Sequence, residues 1–557
     1  MKTSFSKRVA LLGAAALISI SVTALPTSAH ASAPQCTPPA AVVSCQGVTS
    51  DGAPYVMQVP GNFNGTAFIF SHGYRYNIDI PAAMPLIGGY TVTNTPQPGP
   101  LIYGKGSTVK NDTSVMKYML SKGYAIFGSG FARQGWNADS GVATDVELIN
   151  TFKAQFPTTK HVVAWGESLG GFMTQALAEK HPELVDATAS LCVETGSIEA
   201  SLTVAGDFLW GLKTFFDPTI KGGNYSAGAA GYAEAMGDLG KVFTVMGKLQ
   251  KGIGIELATG KPQWPDTTPA TITGSALAGI PSRSALLLVG LMAGVPTQSA
   301  HFDGSTGPGS VNSASYTGFA IAGSPALAVL ENGVTSAALG VLVTYDVEQQ
   351  AGGAIFDNSK TDYSARVASD AQVFNAGLSG ATATGGLLQY LAAAPRATAN
   401  ATAVAKMRTL LAHTGKVNVP TIMLNSVNDA VAQGGNVQWV AQKYAAQYEA
   451  QKAANLKAGK TRGPINFLPI YAVPPAHYTK FDASGLPVTS TPAVNGTDHC
   501  NFTLKQYTTV VDLLGSAATA GKFPNMGPVK SAVRKMGAVY DPNFEPDLLK
   551  FYQDQQG

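Results

Sequence analysis

The chain has 557 residues, of which 45% are hydrophobic and 13% are charged. This composition excludes an intrinsically disordered chain and a coiled coil, and it is typical of a globular protein with a large core. Of the 37 basic residues, three lie in the first 33 residues, which contain no acidic residue, so 34 basic residues balance 34 acidic ones in the remainder. A chain with no net charge and no run of like charges gives no reason to expect nucleic acid or an anionic membrane as a partner.

Residues 1–33 have the pattern of a secretory signal peptide. Basic residues at the start are followed by an apolar stretch over residues 9–25 and then by small residues up to Ala33. A membrane anchor is the alternative, but hydroxyl side chains interrupt the stretch, which is also shorter than the roughly 20 apolar residues that a span needs. We expect cleavage near Ala33, a secreted mature chain that starts near Pro34, and no stable membrane anchor.

Predicted strands and helices alternate over the first part of the mature chain, up to residue 195. This alternation predicts a mostly parallel sheet with helices on both faces, which is an α/β fold. In chain order the predicted elements are strands at 55–60 and 66–71 that form a hairpin, a helix at 114–120, a strand at 124–132, a helix that starts with a capping box at Thr144 and Glu147, a strand at 161–165 and a helix from Leu169 to Leu177.

The pattern changes after residue 195 to Ala- and Gly-rich amphipathic segments, and the strand pattern resumes at residues 419–424 and 465–473. The middle block is therefore predicted to be a mainly helical insertion that covers the sheet as a cap. The predicted organisation is a signal peptide at 1–33, the N-terminal part of the core at 34–195, the cap at 196–405 and the C-terminal part of the core at 406–557.

The strongest local motif is Gly166-Glu167-Ser168-Leu169-Gly170-Gly171, which lies between a predicted strand and a predicted helix. Glycines two residues before and after a serine allow the tight turn of a nucleophile elbow, which exposes the serine hydroxyl at the top of the sheet. The alternative is a glycine-rich turn without chemistry. The flanking strand and helix favour Ser168 as a catalytic nucleophile.

A serine nucleophile needs an acid and a histidine that follow it in the chain. Asp429 follows a predicted buried strand and is the favoured acid, whereas Asp357 and Asp362 are not preceded by a strand. Two histidines could serve as the base. His477 has the more usual distance from the last strand, and His499 is preferred because its neighbour Cys500 could fix its loop through a disulfide.

Export permits disulfides between the four cysteines of the chain. Cys36 and Cys45 are close in sequence and are expected to pair, which leaves Cys192 with Cys500. No cysteine or histidine cluster has the spacing of a zinc site, and no dinucleotide motif is complete. We therefore expect neither a metal nor another cofactor.

Attack of a serine on an acyl group also requires hydrogen-bond donors for the oxyanion that forms. The backbone N–H of Leu169 and that of Tyr74, in the turn His72-Gly73-Tyr74, are the predicted donors.

These residues together resemble the secreted α/β-hydrolase superfamily, in particular bacterial exported hydrolases with a G-x-S-x-G-G elbow, a cysteine after the next strand and a terminal His-Cys-x-Phe-Thr. The corresponding residues are Gly166 to Gly171, Cys192 and His499 to Thr503. The resemblance implies that Ser168, Asp429 and His499 form a triad that hydrolyses carboxylic esters. Feruloyl esterases and tannases are similar in tethering the histidine through a cysteine, but Glu167 stands where they have the partner cysteine, so their substrate does not carry over.

The favoured function is a secreted serine esterase that acts on hydrophobic or aromatic esters, whether small molecules or polymers. A secreted serine peptidase and a noncatalytic binding protein on the same fold are the alternatives. The sequence leaves the oligomeric state open. Activity is expected to fall as the base becomes protonated, near or somewhat below neutral pH.

Overall fold

The computed structural model describes residues 31–85, 87–102, 112–370, 380–541 and 543–556. Residues 1–30, which make up nearly all of the predicted signal peptide, lie outside the described residues.

A ten-stranded sheet forms the centre of the molecule, with the strand order β1-β2-β3-β5-β4-β6-β7-β8-β9-β10. The six strands from β5 to β9 in this order are parallel to one another, whereas β1, β2, β3 and β10 pair antiparallel at the two edges. The predicted mostly parallel α/β fold is confirmed. The strands are β1 Gln35–Cys36, β2 Val42–Val48, β3 Pro54–Pro60, β4 Thr66–Ser71, β5 Ala125–Ser129, β6 His161–Glu167, β7 Ala187–Leu191, β8 Thr421–Ser426, β9 Phe467–Ala472 and β10 Ala538–Val539.

The predicted hairpin between β3 and β4 is wrong, because β5 lies between these two strands in the sheet. Tyr55 of β3 pairs with Ser129 of β5, and Ile69 of β4 pairs with Phe127 on the other side of β5. Every residue of β4 is buried, whereas alternate residues of β3 are partly exposed. A strand that is buried on both faces is typical of the parallel centre of a sheet, where helices cover both sides.

Helices cover both faces of the sheet, as predicted. Alternate residues of β6 show this division: Val162 packs with α2, α3 and α13, whereas Val163 packs with α1, α14 and α15 on the opposite face. The helices that cover the sheet are α1 Ser114–Ser121, α2 Ala138–Gln155, α3 Leu169–Lys180, α13 Gly435–Lys457, α14 Leu504–Ala520 and α15 Met526–Lys535.

Helix α2 begins six residues before Thr144, so the predicted capping box is wrong. Inside the helix, the Thr144 hydroxyl donates to the Asp51 carboxylate at 2.6 Å and lies 3.1 Å from the Ser140 carbonyl oxygen. A threonine three residues before a glutamate fits a capping box in sequence, but here the preceding residues also adopt helical backbone conformation.

Between β7 and β8 the described residues form helices and loops, in agreement with the predicted mainly helical insertion. Since Thr188 of β7 pairs directly with Thr421 of β8, the chain leaves the sheet and returns to the neighbouring position. The insertion and the C-terminal helix have a core of their own, to which α4, α5, α7, α9 and α16 contribute. The helices are α4 Ile198–Phe215, α5 Gly228–Thr259, α6 Ala270–Thr273, α7 Ser282–Ala293, α8 Ala314–Ala322, α9 Ser324–Ala351, α10 Tyr363–Arg366, α11 Ala381–Ala393, α12 Ala401–Met407 and, at the C-terminus, α16 Lys550–Asp554.

Within the described part of the chain, the stretch Ala314–Ala351 is long and apolar enough to cross a membrane by length and composition alone. Its most apolar window is 72% buried inside the protein, which is the arrangement of a core helix.

Candidate active site

Ser168 lies in a sharp turn between the end of β6 and the start of α3. Its φ angle of 53° falls in the left-handed region, which non-glycine residues rarely adopt. A side chain at Gly170 would place its Cβ 1.9 Å from the Ser71 carbonyl oxygen, and one at Gly166 would place it 2.4 Å from the backbone of Gly170. The two glycines therefore allow the close backbone approach that holds Ser168 in this strained conformation, as the motif predicted.

The structure brings Ser168, His499 and Asp429 together. The Ser168 hydroxyl lies 2.9 Å from His499 Nε2, and His499 Nδ1 lies 2.9 Å from an Asp429 carboxylate oxygen. Asp429 is completely buried, and one of its oxygens also accepts 2.8 Å hydrogen bonds from the backbone N–H groups of Val431 and Ala432. With the imidazole protonated at Nδ1, this arrangement aims a basic nitrogen at the serine hydroxyl.

The other acid and base candidates lie elsewhere. His477 is exposed, and its Nδ1 is 3.2 Å from the hydroxyls of Ser305 and Thr306 in the insertion. Asp362 accepts hydrogen bonds from the first N–H groups of α10, and Asp357 accepts from Ser359 in a turn. All three residues therefore form their hydrogen bonds away from Ser168 and His499.

The cysteines pair as predicted. Cys36 and Cys45 join β1 to β2, and Cys192, directly after β7, is bonded to Cys500, which follows His499. The sulfurs of Cys192 and Cys500 lie close to the His499 ring, but they are bonded to each other and are not available as thiolate metal ligands. The disulfide thus attaches the histidine loop to the sheet.

The predicted oxyanion donors lie beside Ser168. Leu169 is the first residue of α3, and the first N–H groups of a helix have no carbonyl partner within it. In the turn that contains Tyr74, a Cβ at Gly73 would lie 3.3 Å from Ser168 Cβ. The Tyr74 hydroxyl donates to Asp346 of α9, which also accepts from the backbone N–H of Trp136, so the insertion holds this turn in place. The donor role of the two backbone groups stays a prediction.

The environment of His499 raises its pKa to about 9. Burial alone would lower this pKa, but the charge and hydrogen bond of Asp429 outweigh burial, and the carboxylates of Glu194 and Asp498 add to the effect. The base is therefore expected to titrate above neutral pH instead of near or below it, because three acidic side chains stabilise the imidazolium.

A family model for the alpha/beta hydrolase fold matches residues 123–222, which include β6, Ser168 and α3. The match covers the segment in which the strained serine turn joins the parallel strands of the sheet. The chain has the α/β-hydrolase fold.

Solved structures similar to this α/β-hydrolase include feruloyl esterase B from Aspergillus oryzae, with 10% identity over 87% of this chain and 81% of that one and a TM-score of 0.35. An esterase from Aspergillus oryzae has 11% identity over 73% of this chain and 68% of that one, with a TM-score of 0.31. Acetyl xylan esterase from Aspergillus awamori has 16% identity over 28% of this chain and 52% of that one, with a TM-score of 0.18. The comparison with curated proteins finds no match.

A narrow cavity of about 70 Å³ in this α/β-hydrolase opens beside the serine, and we call it the Ser168 cavity. Its walls are largely apolar and come from the core and from α4 and α9 of the insertion. The residues that line it are Tyr74, Trp136, Ser168, Leu169, Glu194, Ile198, Ser201, Leu202, Val204, Ala205, Ser336, Leu339, Gly340, Val343, Ala430, Val431 and Gln433.

Glu194 is one residue of this site that sequence reasoning missed. It is 6% exposed, and burial raises the pKa of its carboxyl to about 7, against the opposing effect of His499. Its position two residues after Cys192, just beyond the carboxyl end of β7, could have identified it, because sites in parallel sheets form at that edge.

Glu167, which precedes the nucleophile, is also buried, and the Tyr507 hydroxyl of α14 donates a hydrogen bond to it. Burial raises the pKa of Glu167 to about 7, although the hydrogen bond from Tyr507 opposes the shift. The residue that occupies the place of a cysteine in feruloyl esterases and tannases is thus bound to the helix that follows the histidine loop.

Proposed function

We propose that the protein is a secreted serine esterase that hydrolyses carboxylic esters through an acyl-enzyme. The observation that supports this proposal is the pair of hydrogen bonds from Ser168 to His499 and from His499 to the buried Asp429. A strained serine with a base and an orienting carboxylate is the arrangement required for nucleophilic attack on an acyl carbon.

In the proposed mechanism, His499 Nε2 accepts the hydroxyl proton while Ser168 Oγ bonds to the ester carbonyl carbon. The negative oxygen that forms is stabilised by the backbone N–H groups of Leu169 and Tyr74. The imidazolium then gives its proton to the departing alcohol oxygen as the C–O bond breaks. In the second half, His499 takes a proton from water, which attacks the acyl-enzyme and releases the acid and the serine.

The apolar walls of the Ser168 cavity favour a hydrophobic or aromatic acyl group, and its small volume favours a compact one. The alcohol part of the ester, whether a small molecule or a polymer, is not specified by this cavity. The two disulfides support an extracytoplasmic location, because disulfides persist in oxidising compartments.

The experiment that tests the proposal is labelling of the folded protein with a fluorophosphonate, followed by hydrolysis of p-nitrophenyl esters of increasing acyl length. Wild type should be labelled and active, whereas Ser168→Ala should lose both properties. Folded wild type that is neither labelled nor active would contradict the proposal. Faster hydrolysis of aminoacyl p-nitroanilides than of every ester would support the peptidase alternative instead.

A further inference from the structure

The acyl part of an ester is expected in the Ser168 cavity because His499 faces a different space. The imidazolium must protonate the departing alcohol, so the alcohol has to lie on the His499 side of the serine. His499 lines a second cavity together with His301 and Glu331, and it does not line the Ser168 cavity. The Ser168 cavity is thus left for the acyl group.

Four polar side chains of the Ser168 cavity have buried atoms without a hydrogen-bond partner among the described residues. These atoms are Glu194 Oε2, both amide atoms of Gln433, Trp136 Nε1 and Ser201 Oγ. Glu194, Gln433 and Trp136 are all at least nine-tenths buried. Buried polar atoms are normally paired with protein or with ordered water, so four such side chains around one apolar cavity make it a place where a polar ligand group would gain hydrogen bonds.

The unpaired atoms include both donors and acceptors. Trp136 Nε1 is a donor only, the Glu194 carboxyl accepts when ionised and can also donate when protonated, and the Gln433 amide can act as either. An alkyl chain would leave all of them unpaired, and a carboxylate would be repelled by the ionised form of Glu194. An ammonium group would satisfy the acceptors alone, whereas a hydroxyl group can donate and accept at the same time.

We propose that the Ser168 cavity selects acyl groups that carry a hydroxyl group, which donates a hydrogen bond to Glu194 and accepts one from Trp136 or Gln433. This inference rests on the proposed esterase function and adds the substrate class to it. Glu194 is then a specificity-determining residue that contacts the acyl group.

The test compares three matched esters on the full-length mature protein: ethyl butyrate, ethyl 3-hydroxybutyrate and ethyl 3-aminobutyrate, with acid release followed by pH-stat titration. Each rate is divided by the rate of the same ester with hydroxide. Wild type should show a kcat/KM for the hydroxylated ester at least about tenfold above that for ethyl butyrate, because a site that hydrogen-bonds a substrate hydroxyl discriminates against the analogue that lacks it.

In Glu194→Leu the ratio of the two kcat/KM values should fall to near one, because leucine is similar in size to glutamate but cannot form a hydrogen bond. Trp136→Phe, which removes the indole donor, should reduce the ratio as well. It is the second test of the inference if Glu194→Leu does not fold. Ile198→Val is the matched control, since it changes the wall of the same cavity without a polar atom and should change the rates for both esters alike.

Equal rates for the hydroxylated and plain esters, with turnover that depends on Ser168, would overturn this inference and leave the esterase function standing. A preference for the amino ester, or a hydroxyl preference that survives in both Glu194→Leu and Trp136→Phe, would also overturn it. No turnover of any ester by folded wild type would overturn the esterase function and this inference together.

Discussion

Cys192 is bonded to Cys500, so the end of β7 is covalently attached to the residue that follows His499. A second link supports the same loop, because Asn428, beside the acid, forms a parallel bridge with Thr497. The position of the histidine relative to Ser168 is therefore set by the sheet itself.

We expect the double substitution Cys192→Ala and Cys500→Ala to reduce kcat/KM at least tenfold. Without the disulfide the histidine loop is free to move, and small displacements of a base have large effects on catalysis. The free energy of unfolding should also fall by about 2–5 kcal/mol, as for other native disulfides. Ester hydrolysis and denaturant unfolding measure the two effects.

The matched control for this experiment is the other disulfide. Cys36→Ala with Cys45→Ala opens a bridge between residues only nine apart at the edge of the sheet, far from the histidine loop in the chain. It should lower stability less and leave kcat/KM near the wild-type value. Equal losses of activity in the two double variants would contradict a positioning role for the Cys192–Cys500 bond.

The pH dependence of kcat/KM follows from the raised pKa of His499. Below about 9 the imidazole of the free enzyme is protonated and cannot accept the Ser168 proton, so kcat/KM should rise about tenfold per pH unit above neutrality and level off near pH 9. Initial rates at low substrate concentration from pH 6 to pH 10 test this expectation.

Substitutions of Asp498 and Asp429 should change the pH profile of kcat/KM in different ways. Asp498→Asn should move the midpoint to lower pH with the mechanism intact, because it removes one of the charges that stabilise the imidazolium. Asp429→Asn should severely lower the value that kcat/KM reaches at high pH, since the imidazole loses the partner that fixes its tautomer. A profile that is already flat at pH 7 in wild type would contradict the raised pKa.

Gly170→Ala should abolish activity and lower the melting temperature. An alanine Cβ would lie 1.9 Å from the Ser71 carbonyl oxygen and 2.7 Å from that of His72, and these backbone atoms cannot move aside as a flexible side chain can. The control is Gly240→Ala in α5, where a Cβ meets no atom within 4 Å. That variant should be more stable than wild type by about 0.5–1 kcal/mol, because alanine loses less conformational freedom in a helix than glycine.

Asp145→Asn should stabilise the protein at alkaline pH and have little effect at pH 4.5. Burial raises the pKa of Asp145 to about 7, although its hydrogen bond with Ser71 opposes the shift. The folded state thus keeps the proton that the unfolded chain loses near its ordinary pKa, so wild-type stability falls as the pH rises toward 7. The asparagine side chain does not titrate, so the variant does not lose this free energy of unfolding, which amounts to at most about 4 kcal/mol above pH 7.

Melting temperatures of both proteins from pH 4.5 to pH 8.5 give the measurement. A difference that does not grow with pH would show that the Asp145 carboxyl is ionised in the folded protein at low pH. Ser71→Ala tests the hydrogen bond separately and should raise the pKa of Asp145 further, which would widen the difference at pH 8.5 and leave it nearly unchanged at pH 7.

The sequence could predict the features that depend on neighbouring residues. The glycine spacing around Ser168 predicts a tight turn, because only glycine fits at the flanking positions. The apolar runs before Ser168 and Asp429 predict strands that are buried on both faces of the sheet. Strand order is different, because β5 enters between β3 and β4 only when the whole sheet assembles. No local pattern distinguishes that arrangement from a hairpin.

The missed parts of the site come from segments that are distant in the chain. Glu194 follows β7, Gln433 follows β8, and Asp346 lies on α9, yet all three are within or next to the serine site. The pKa of His499 likewise depends on acids from three places in the sequence. Electrostatic effects of this kind require the folded coordinates.

The contact between Ser168 and His499 spans 331 residues of chain, and the bond from Cys192 to Cys500 spans 308. During synthesis the nucleophile therefore emerges long before its base, with the whole helical insertion between them. A partly made chain holds a serine with no activating partner. The proposed triad is complete only when the histidine loop joins the sheet, which is also what brings Cys500 within bonding distance of Cys192.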